Sequence, residues 1–469
     1  MDNLERIPVF GMLKSFFNRH KIISIILFIL FIKSLVWMVV IPPFQTPDEP
    51  AHFSYIQYLS ESKKIPLIGK SLGYSHELNS AHNILNVNRI AWVGDKMDIR
   101  NYKIMSDFKV LPEHKQSSGS SPAASYSPLY YSIGSLAYTL FNSFSILVRV
   151  YAIRLVSVLF GLLTVYFTYL IGRKIRPSSP MFASCLSLMV GLHPMFSLVS
   201  ISVNNDALLN LFAVLTIYRL LHMKIEAKQM VGMGVLLGLG LLIKPTSIFV
   251  VSAALFFTLV IIIREKIQLR KAVNHYLRLV IPMLIIYSPW AIFSYVHYKS
   301  ILGGKGLQPM GDTTRTLVFY FAESFNISRL RDIWIKMFWA DFGWTNVLFD
   351  SFIMYKLIAL LLVITTVGVI LFISQKKEAY PFAAASLVII VGNVIFLYIV
   401  EIMYFQEFKN FMLQGRYLFT SIVPIMFVIL CGIQIFIRQA NWDKMYVCVI
   451  TLFAIFNIAS IDLLLHKYY

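Results

Sequence analysis

Charge is scarce in this sequence. Of its 469 residues only 14% are Asp, Glu, Lys or Arg, while 58% are hydrophobic and 15% aromatic. Soluble domains run nearer a quarter charged. So few charges cannot cover the apolar surface in water, which excludes a wholly soluble globule and leaves a bilayer as solvent for much of the chain. Acidic residues are scarcer than basic ones, 23 against 42, for a formal net charge of +19. That excess would suit nucleic acid, but the basic residues cluster beside apolar runs, as they do where a membrane protein sets its orientation. No nucleic-acid partner is expected. Cysteine is rare too: Cys185, Cys431 and Cys448 all lie within apolar runs, which excludes a disulfide framework or a cysteine metal site. There is no internal repeat and no nucleotide-binding fingerprint. Gly232, Gly234, Gly238 and Gly240 have no preceding strand, so they read as small residues for close helix packing.

What is present is a series of long apolar runs. The first, Ile22 to Ile41, follows Arg6, Lys14, Arg19 and Lys21. As a helix it measures about 30 Å, enough to span. No small-residue cleavage site follows it, so an uncleaved anchor is expected. Further basic clusters lie at 173–176, 219–228, 264–278, 376–377 and 438–444. Placing all of them on the cytoplasmic side gives one consistent topology. Its eleven spans are 22–41, 150–172, 180–201, 205–222, 229–243, 246–263, 276–296, 353–374, 380–400, 416–438 and 445–465. The expectation is an all-α polytopic membrane protein with the N-terminus cytoplasmic. Two long stretches, 42–149 and 297–352, then face outward. The apolar piece 129–148 would reverse that topology as a span, so it reads as a re-entrant or interfacial helix, with Tyr126, Tyr130 and Tyr131 suited to an interface. The chain divides into a module 1–296 that includes the first outer loop, an aromatic outer loop 297–352, and a membrane module 353–469.

The candidate functional residues fall on the outward side. Asp48 and Glu49 sit just past the first span, in Pro42 to Phe53. Thr46-Pro47-Asp48-Glu49 fits a helix start, with Thr46 as N-cap and Glu49 closing a capping box. Asp48 is the carboxylate that capping explains less well. His52 shares its face at helical spacing, so Asp48, Glu49 and His52 could be a general base with an orienting partner, or metal ligands. Asp206 lies in the short outer turn Val203 to Ala207 beside Asn205, and serves either as an N-cap or as a second site carboxylate. His193-Pro194 lies inside a span, where the proline can kink the helix and the histidine reads as an interior residue. Lys244 interrupts two apolar runs and would sit below the outer interface, where a lysine requires an anionic partner, either a structural carboxylate or a bound phosphate. Arg416 and Tyr417 open the tenth span, as an interfacial anchor pair or as a guanidinium fork for phosphate. Arg149 and Arg154, at the entry to the second span, are less specific candidates. The aromatic segment Phe338 to Trp344 reads as a membrane-surface belt, or as rings that stack against a sugar or a lipid chain.

Outer-face carboxylates beside intramembrane cations, without a nucleotide site, resemble the GT-C superfamily of membrane glycosyltransferases, which take sugars from polyprenyl-phosphate carriers. The nearer resemblance is to a bacterial family of predicted membrane proteins of unknown function with a PDEPAHF-type first-loop motif. It rests on Pro42 to Phe53, Ser127 to Tyr131, Asn204 to Ala207, Lys244 to Thr246, Phe338 to Trp344 and Gln414 to Tyr417. The resemblance implies a GT-C-like bundle. It also implies an inverting transfer at the extracytoplasmic face, from a polyprenyl-phosphate sugar to an envelope glycan or lipid acceptor. Asp48, Glu49 and Asp206 would be catalytic, with His52, Asn205, Lys244, Arg416, Tyr417 and Arg149 binding substrate. A divalent metal (Mg or Mn) on Asp48, Glu49 and Asp206 is one option it leaves open. A polymerase or ligase using lipid-linked sugars, or a lipid-linked-sugar flippase, is the alternative reading.

Overall fold

The structure is a computed structural model that describes residues 21–69, 71–108, 111–304, 326–376, 379–408 and 411–469. The basic residues Arg6, Lys14, Arg19 and Lys377 lie outside them. The helices are α1 (Lys21–Val40), α2 (Glu49–Ser62), α3 (His76–Ile84), α4 (Ile99–Asp107), α5 (Leu129–Leu140), α6 (Ile146–Ile175), α7 (Pro180–Gly191), α8 (Pro194–Ile201) and α9 (Asp206–His222). They continue with α10 (Ala227–Leu241), α11 (Ile248–Arg264), α12 (Leu269–Tyr298), α13 (Ile327–Asp332), α14 (Phe352–Ser374), α15 (Tyr380–Phe408), α16 (Ile422–Gln434) and α17 (Trp442–Tyr468). Among the described residues there is no strand, only an isolated bridge between Phe342 and Val347.

All eleven expected spans fall on helices. Eight, among the described residues, are long and apolar enough to cross a membrane alone. The third expected span is the bent pair α7–α8, which turns by 64°. Its hinge is His193-Pro194: Pro194 starts α8, and the His193 side chain accepts from the Phe196 N–H as its cap. The remaining two are the 17-residue α9 and the 15-residue α10. A 15-residue helix is about 22 Å long, so α10 stops short of a full crossing and Lys244 follows inside the bundle, 8% exposed. The glycines of α10 act through packing. A side chain at Gly234 would overlap the Leu279 carbonyl, and one at Gly238 would press on the Met283 carbonyl, so α10 and α12 touch through their backbones. The chain is a multi-pass membrane protein.

Two expectations need correction. Tyr130 and Tyr131 of α5 do not face an interface; both are fully buried. Tyr130 Oη lies 3.1 Å from Ser157 Oγ, and Tyr131 Oη lies 2.8 Å from His52 Nδ1. Nor is Phe338 to Trp344 a surface belt. Phe338, Trp339 and Phe342 are buried, packed against Phe419, His193 and Trp37. Aromatic content cannot distinguish the two settings, because rings that suit an interface also suit a tightly packed loop.

Candidate active site at one end of the bundle

The site begins where α1 ends. Between Val40 and Glu49 the chain reverses through two non-glycine residues in the left-handed region, Phe44 at φ 67° and Asp48 at φ 62°. That conformation costs roughly 1–2 kcal/mol for an L-residue, though Asp tolerates it better than most. The expected capping box does not form. Helix α2 starts at Glu49, Asp48 occupies the N-cap position without a side-chain cap, and the buried Thr46 hydroxyl has no partner among the described residues. Instead, the turn sends two consecutive carboxylates in opposite directions. The Asp48 side chain is 53% exposed, whereas that of Glu49 is completely buried.

Glu49 is held by Arg154. The guanidinium donates Nε to Glu49 Oε1 (2.8 Å) and Nη2 to Oε2 (2.7 Å). Its remaining N–H groups reach the carbonyls of Met38, Ile41 and Pro42. Glu49 also accepts from the Phe44 and Val203 backbone N–H groups, at 2.8 and 3.1 Å. A bidentate pair with this many satisfied hydrogen bonds is the geometry in which a buried ion pair is tolerated. Val203 lies three residues before Asp206, so the same clamp joins the first-loop turn to the second.

Asp48 meets the other candidates on its exposed side. Arg416 Nη2 donates to Asp48 Oδ2 at 2.7 Å, and Arg416 Nε lies 3.9 Å from Asp206 Oδ2. Lys244 Nζ donates to Asp206 Oδ1 at 2.6 Å. The result is a quartet of two carboxylates and two cations with no net formal charge. Asp206 opens α9, where the helix dipole favours an anion. Its N–H is taken by Asn204, while the Asn205 amide donates to the Ile243 carbonyl at 3.2 Å and so fixes the entry of α9 beside Lys244. Tyr417 lies under both cations, with Lys244 Nζ 5.1 Å and Arg416 Cζ 5.5 Å from its ring centre; Tyr126 is 5.8 Å from Lys244. His52 stacks between Tyr126 and Tyr131, at 6.1 and 5.8 Å.

Electrostatics sort the two titratable groups of the loop. Burial works to raise the Asp48 carboxyl, but Arg416, His52 and Lys244 together hold it below its usual range. Burial drives His52 the other way, down to about 4, against the pull of Asp48. Near neutral pH the pair is therefore a carboxylate and a neutral imidazole.

Seven of the sequence candidates thus gather: Asp48, His52, Asn205, Asp206, Lys244, Arg416 and Tyr417. Two do not. Glu49 faces into the bundle, fully engaged by Arg154. Arg149 belongs to a separate buried network in which it pairs with Glu77 and donates to Tyr138 Oη at 2.5 Å. The expected metal set is not assembled either: among the described residues no three His, Cys, Asp or Glu side chains are placed to hold a metal ion. Asp48 and Asp206 each face a cation, and Glu49 has no oxygen to spare. Lys33 was missed. It lies half-buried in α1 and donates to the Gly191 carbonyl (2.8 Å) and Ser197 Oγ (2.7 Å), across the α7–α8 bend. A lone lysine within an apolar run was the available signal.

Residues 30–429 match the model of a family described as "Predicted membrane protein (DUF2142)". The chain belongs to this family. No curated protein matches its sequence. Among solved structures, the oligosaccharyltransferase of Archaeoglobus fulgidus, tethered to an acceptor peptide containing the NVT sequon, is similar at 11% identity and a TM-score of 0.50. The match covers 97% of this chain and 56% of that one, so the family member spans little more than half the length of the oligosaccharyltransferase. ArnT from Cupriavidus metallidurans in the apo state is similar at 12% identity and a TM-score of 0.48, over 95% of this chain and 76% of that one. At 11% identity the likeness to the oligosaccharyltransferase is one of fold, and it agrees with the GT-C-like bundle that the sequence resemblance implied.

The two neighbouring carboxylates should respond differently to substitution. Glu49→Ala leaves Arg154 buried and unpaired and is expected to destabilise the protein by about 3–5 kcal/mol. The half-exposed Asp48→Asn should change stability by no more than about 1 kcal/mol. Thermal unfolding of both variants in detergent, followed by loss of the monodisperse species, checks the contrast.

Proposed function

We propose that this protein is an inverting glycosyltransferase that moves a sugar from a polyprenyl-phosphate carrier to an envelope glycan or lipid acceptor at the extracytoplasmic face. The observation that carries the reading is the quartet: two buried cations at one end of a membrane bundle, each held by a carboxylate, with one carboxylate open to solvent. A lipid phosphate entering from the membrane is the kind of anion that could take over Lys244 and Arg416. Arg416 offers a planar fork for phosphate oxygens and Lys244 a point charge. Their charge would offset that developing on the departing phosphate.

Binding of that phosphate would also release the carboxylates. Asp48, freed from Arg416 and already ionised, accepts the acceptor hydroxyl proton as the hydroxyl attacks the anomeric carbon. Asp206 orients the acceptor, and a single attack inverts the anomeric configuration. His52, neutral and fixed by Tyr131, lines the acceptor side. Glu49 and Arg149 stay outside the chemistry, as fold-holding residues. Because the three carboxylates do not converge, no step is assigned to a metal. The fold shared with an oligosaccharyltransferase, a protein seen with an acceptor peptide, supports the reaction class and leaves sugar and acceptor open.

Incubating purified protein with a panel of polyprenyl-phosphate sugars should reveal consumption of one of them. Asp48→Asn should lower that rate by about 10²–10⁴-fold, the usual range for losing a general base, with membrane insertion intact. Full activity in this variant removes the base assignment. Orientation has its own check. Trp92 is 63% exposed, and its ring lies 6.3 Å from that of Trp344 on the site-bearing end. In a Cys448→Ser background, Trp92→Cys should react with a membrane-impermeant maleimide in intact spheroplasts; labelling only after lysis would reverse the topology.

A further inference from the structure

Asp341 immediately precedes the tight turn closed by the Phe342–Val347 bridge, which passes through Gly343 at φ 62°. The segment leading into that turn borders the quartet. A side chain at Gly415 would overlap the Met337 carbonyl carbon and the Phe338 nitrogen, so the two backbones touch one residue before Arg416. On its other flank, Trp344 Nε1 donates to the Phe44 carbonyl at 3.2 Å, and the Phe342 ring lies 5.6 Å from Trp37. The turn is therefore pinned between the Asp48 loop and the Arg416 segment, by contacts that do not involve Asp341 itself.

Within this frame the Asp341 side chain is unexplained. It is 1% exposed, and its Oδ1 has no hydrogen-bond partner among the described residues. Other buried polar atoms in this part of the molecule also lack a hydrogen bond among the described residues, among them Trp339 Nε1, and Arg416 Nε and Asp206 Oδ2, which face each other only at ion-pair distance, 3.9 Å. Polar atoms buried without partners are expensive, so a hydrogen-bonding ligand would be favoured beside this cation. A buried carboxyl with no hydrogen bond tends to keep its proton. Burial raises the Asp341 carboxyl to about 7, with the Arg416 guanidinium opposing the shift. Among the described residues, the phenol of Tyr355 on α14 also feels the Asp341 charge. Asp341 thus differs from Asp48 and Asp206, each of which has a cation in hydrogen-bond contact.

We propose that Asp341 is a proton-bearing carboxyl that donates a hydrogen bond, and then its proton, to the phosphate seated on Arg416. This rests on the donor-phosphate reading above. In the transfer, the acceptor oxygen bonds to the anomeric carbon as the bond from that carbon to the phosphate oxygen breaks. The electron pair stays on the phosphate oxygen, which takes the Asp341 proton, while the acceptor hydroxyl proton goes to Asp48. Asp341 is left as an anion beside Arg416, and exchange with solvent returns its proton and removes the one on Asp48. Asp48 and Asp341 would then divide base and acid work according to their surroundings, one tied to a cation and one buried without a hydrogen bond.

The test uses farnesyl phosphate, a short polyprenyl phosphate, binding to the detergent-solubilised full chain between pH 6 and 8.5. Ionised Asp341 repels the phosphate, so wild-type affinity should fall about tenfold more over this range than that of Asp341→Asn, whose amide still donates but cannot ionise. Comparison with this variant cancels the second ionisation of the phosphate itself. Equal pH slopes, with binding still dependent on Arg416, overturn the role of Asp341 alone. Absence of binding, or binding indifferent to Arg416→Gln, overturns the donor-phosphate reading and this proposal with it. Infrared difference spectra give a readout free of ligand. A protonated-carboxyl band should be present in wild type at pH 6, diminish through about pH 7, and be missing from Asp341→Asn. A wild-type spectrum unchanged by that substitution contradicts the proposal.

Discussion

One buried guanidinium organises this end of the molecule. Arg154, on the second long span, gathers the last carbonyls of the first span, both oxygens of Glu49 and, through Glu49, the Phe44 backbone of the first loop. Because Glu49 also accepts from Val203, the turn that leads into Asp206 is held by the same carboxylate. Removing either partner would leave a charge in a dry interior, which is far more costly than losing an ordinary contact. The clamp therefore acts as a constraint on geometry: with Glu49 drawn inward, its neighbour Asp48 must face out, and the strained turn at Phe44 and Asp48 is the backbone's way of meeting that demand.

From that constraint the quartet follows. Asp48 and Asp206, separated by more than 150 residues, are presented on neighbouring turns. The broken entry to the tenth span supplies Arg416, and the short α10 stops in time to place Lys244 against Asp206. Each cation is stabilised by a carboxylate and a tyrosine face, so neither remains an isolated charge at membrane depth. Such an arrangement leaves no cation unpaired without ligand, and the proposed phosphate would replace the carboxylates without changing the number of ionic contacts.

Much of this was legible in the sequence, for identifiable reasons. Apolar run lengths and basic clusters located the spans, including the kink at Pro194 and the short helix before Lys244, because hydrophobic length is set by the bilayer. Residues such as Asp206, Lys244 and Arg416 stood out because charges are conspicuous in apolar surroundings. Direction within a turn was not legible. Asp48 and Glu49 are adjacent acids, and a capping pattern suggested Thr46 as the cap; only the tertiary position of Arg154 decides which acid is buried. The same holds for Arg149 and Arg154, five residues apart on one helix and equivalent by eye, yet committed to different networks. Lys244 left two partners open, and Asp206 is the one it meets. Asp341 was hidden by its aromatic neighbours, which read as a membrane belt and are instead the packing that buries it.

The central claim is that the quartet is a lipid-phosphate site. An experimental structure of the full protein with a bound polyprenyl phosphate tests it most directly. The account predicts the phosphate between Lys244 and Arg416, with the Arg416–Asp48 contact opened and the Glu49–Arg154 clamp unchanged. A phosphate seated elsewhere, with Arg416 still on Asp48 and Lys244 still on Asp206, would contradict it.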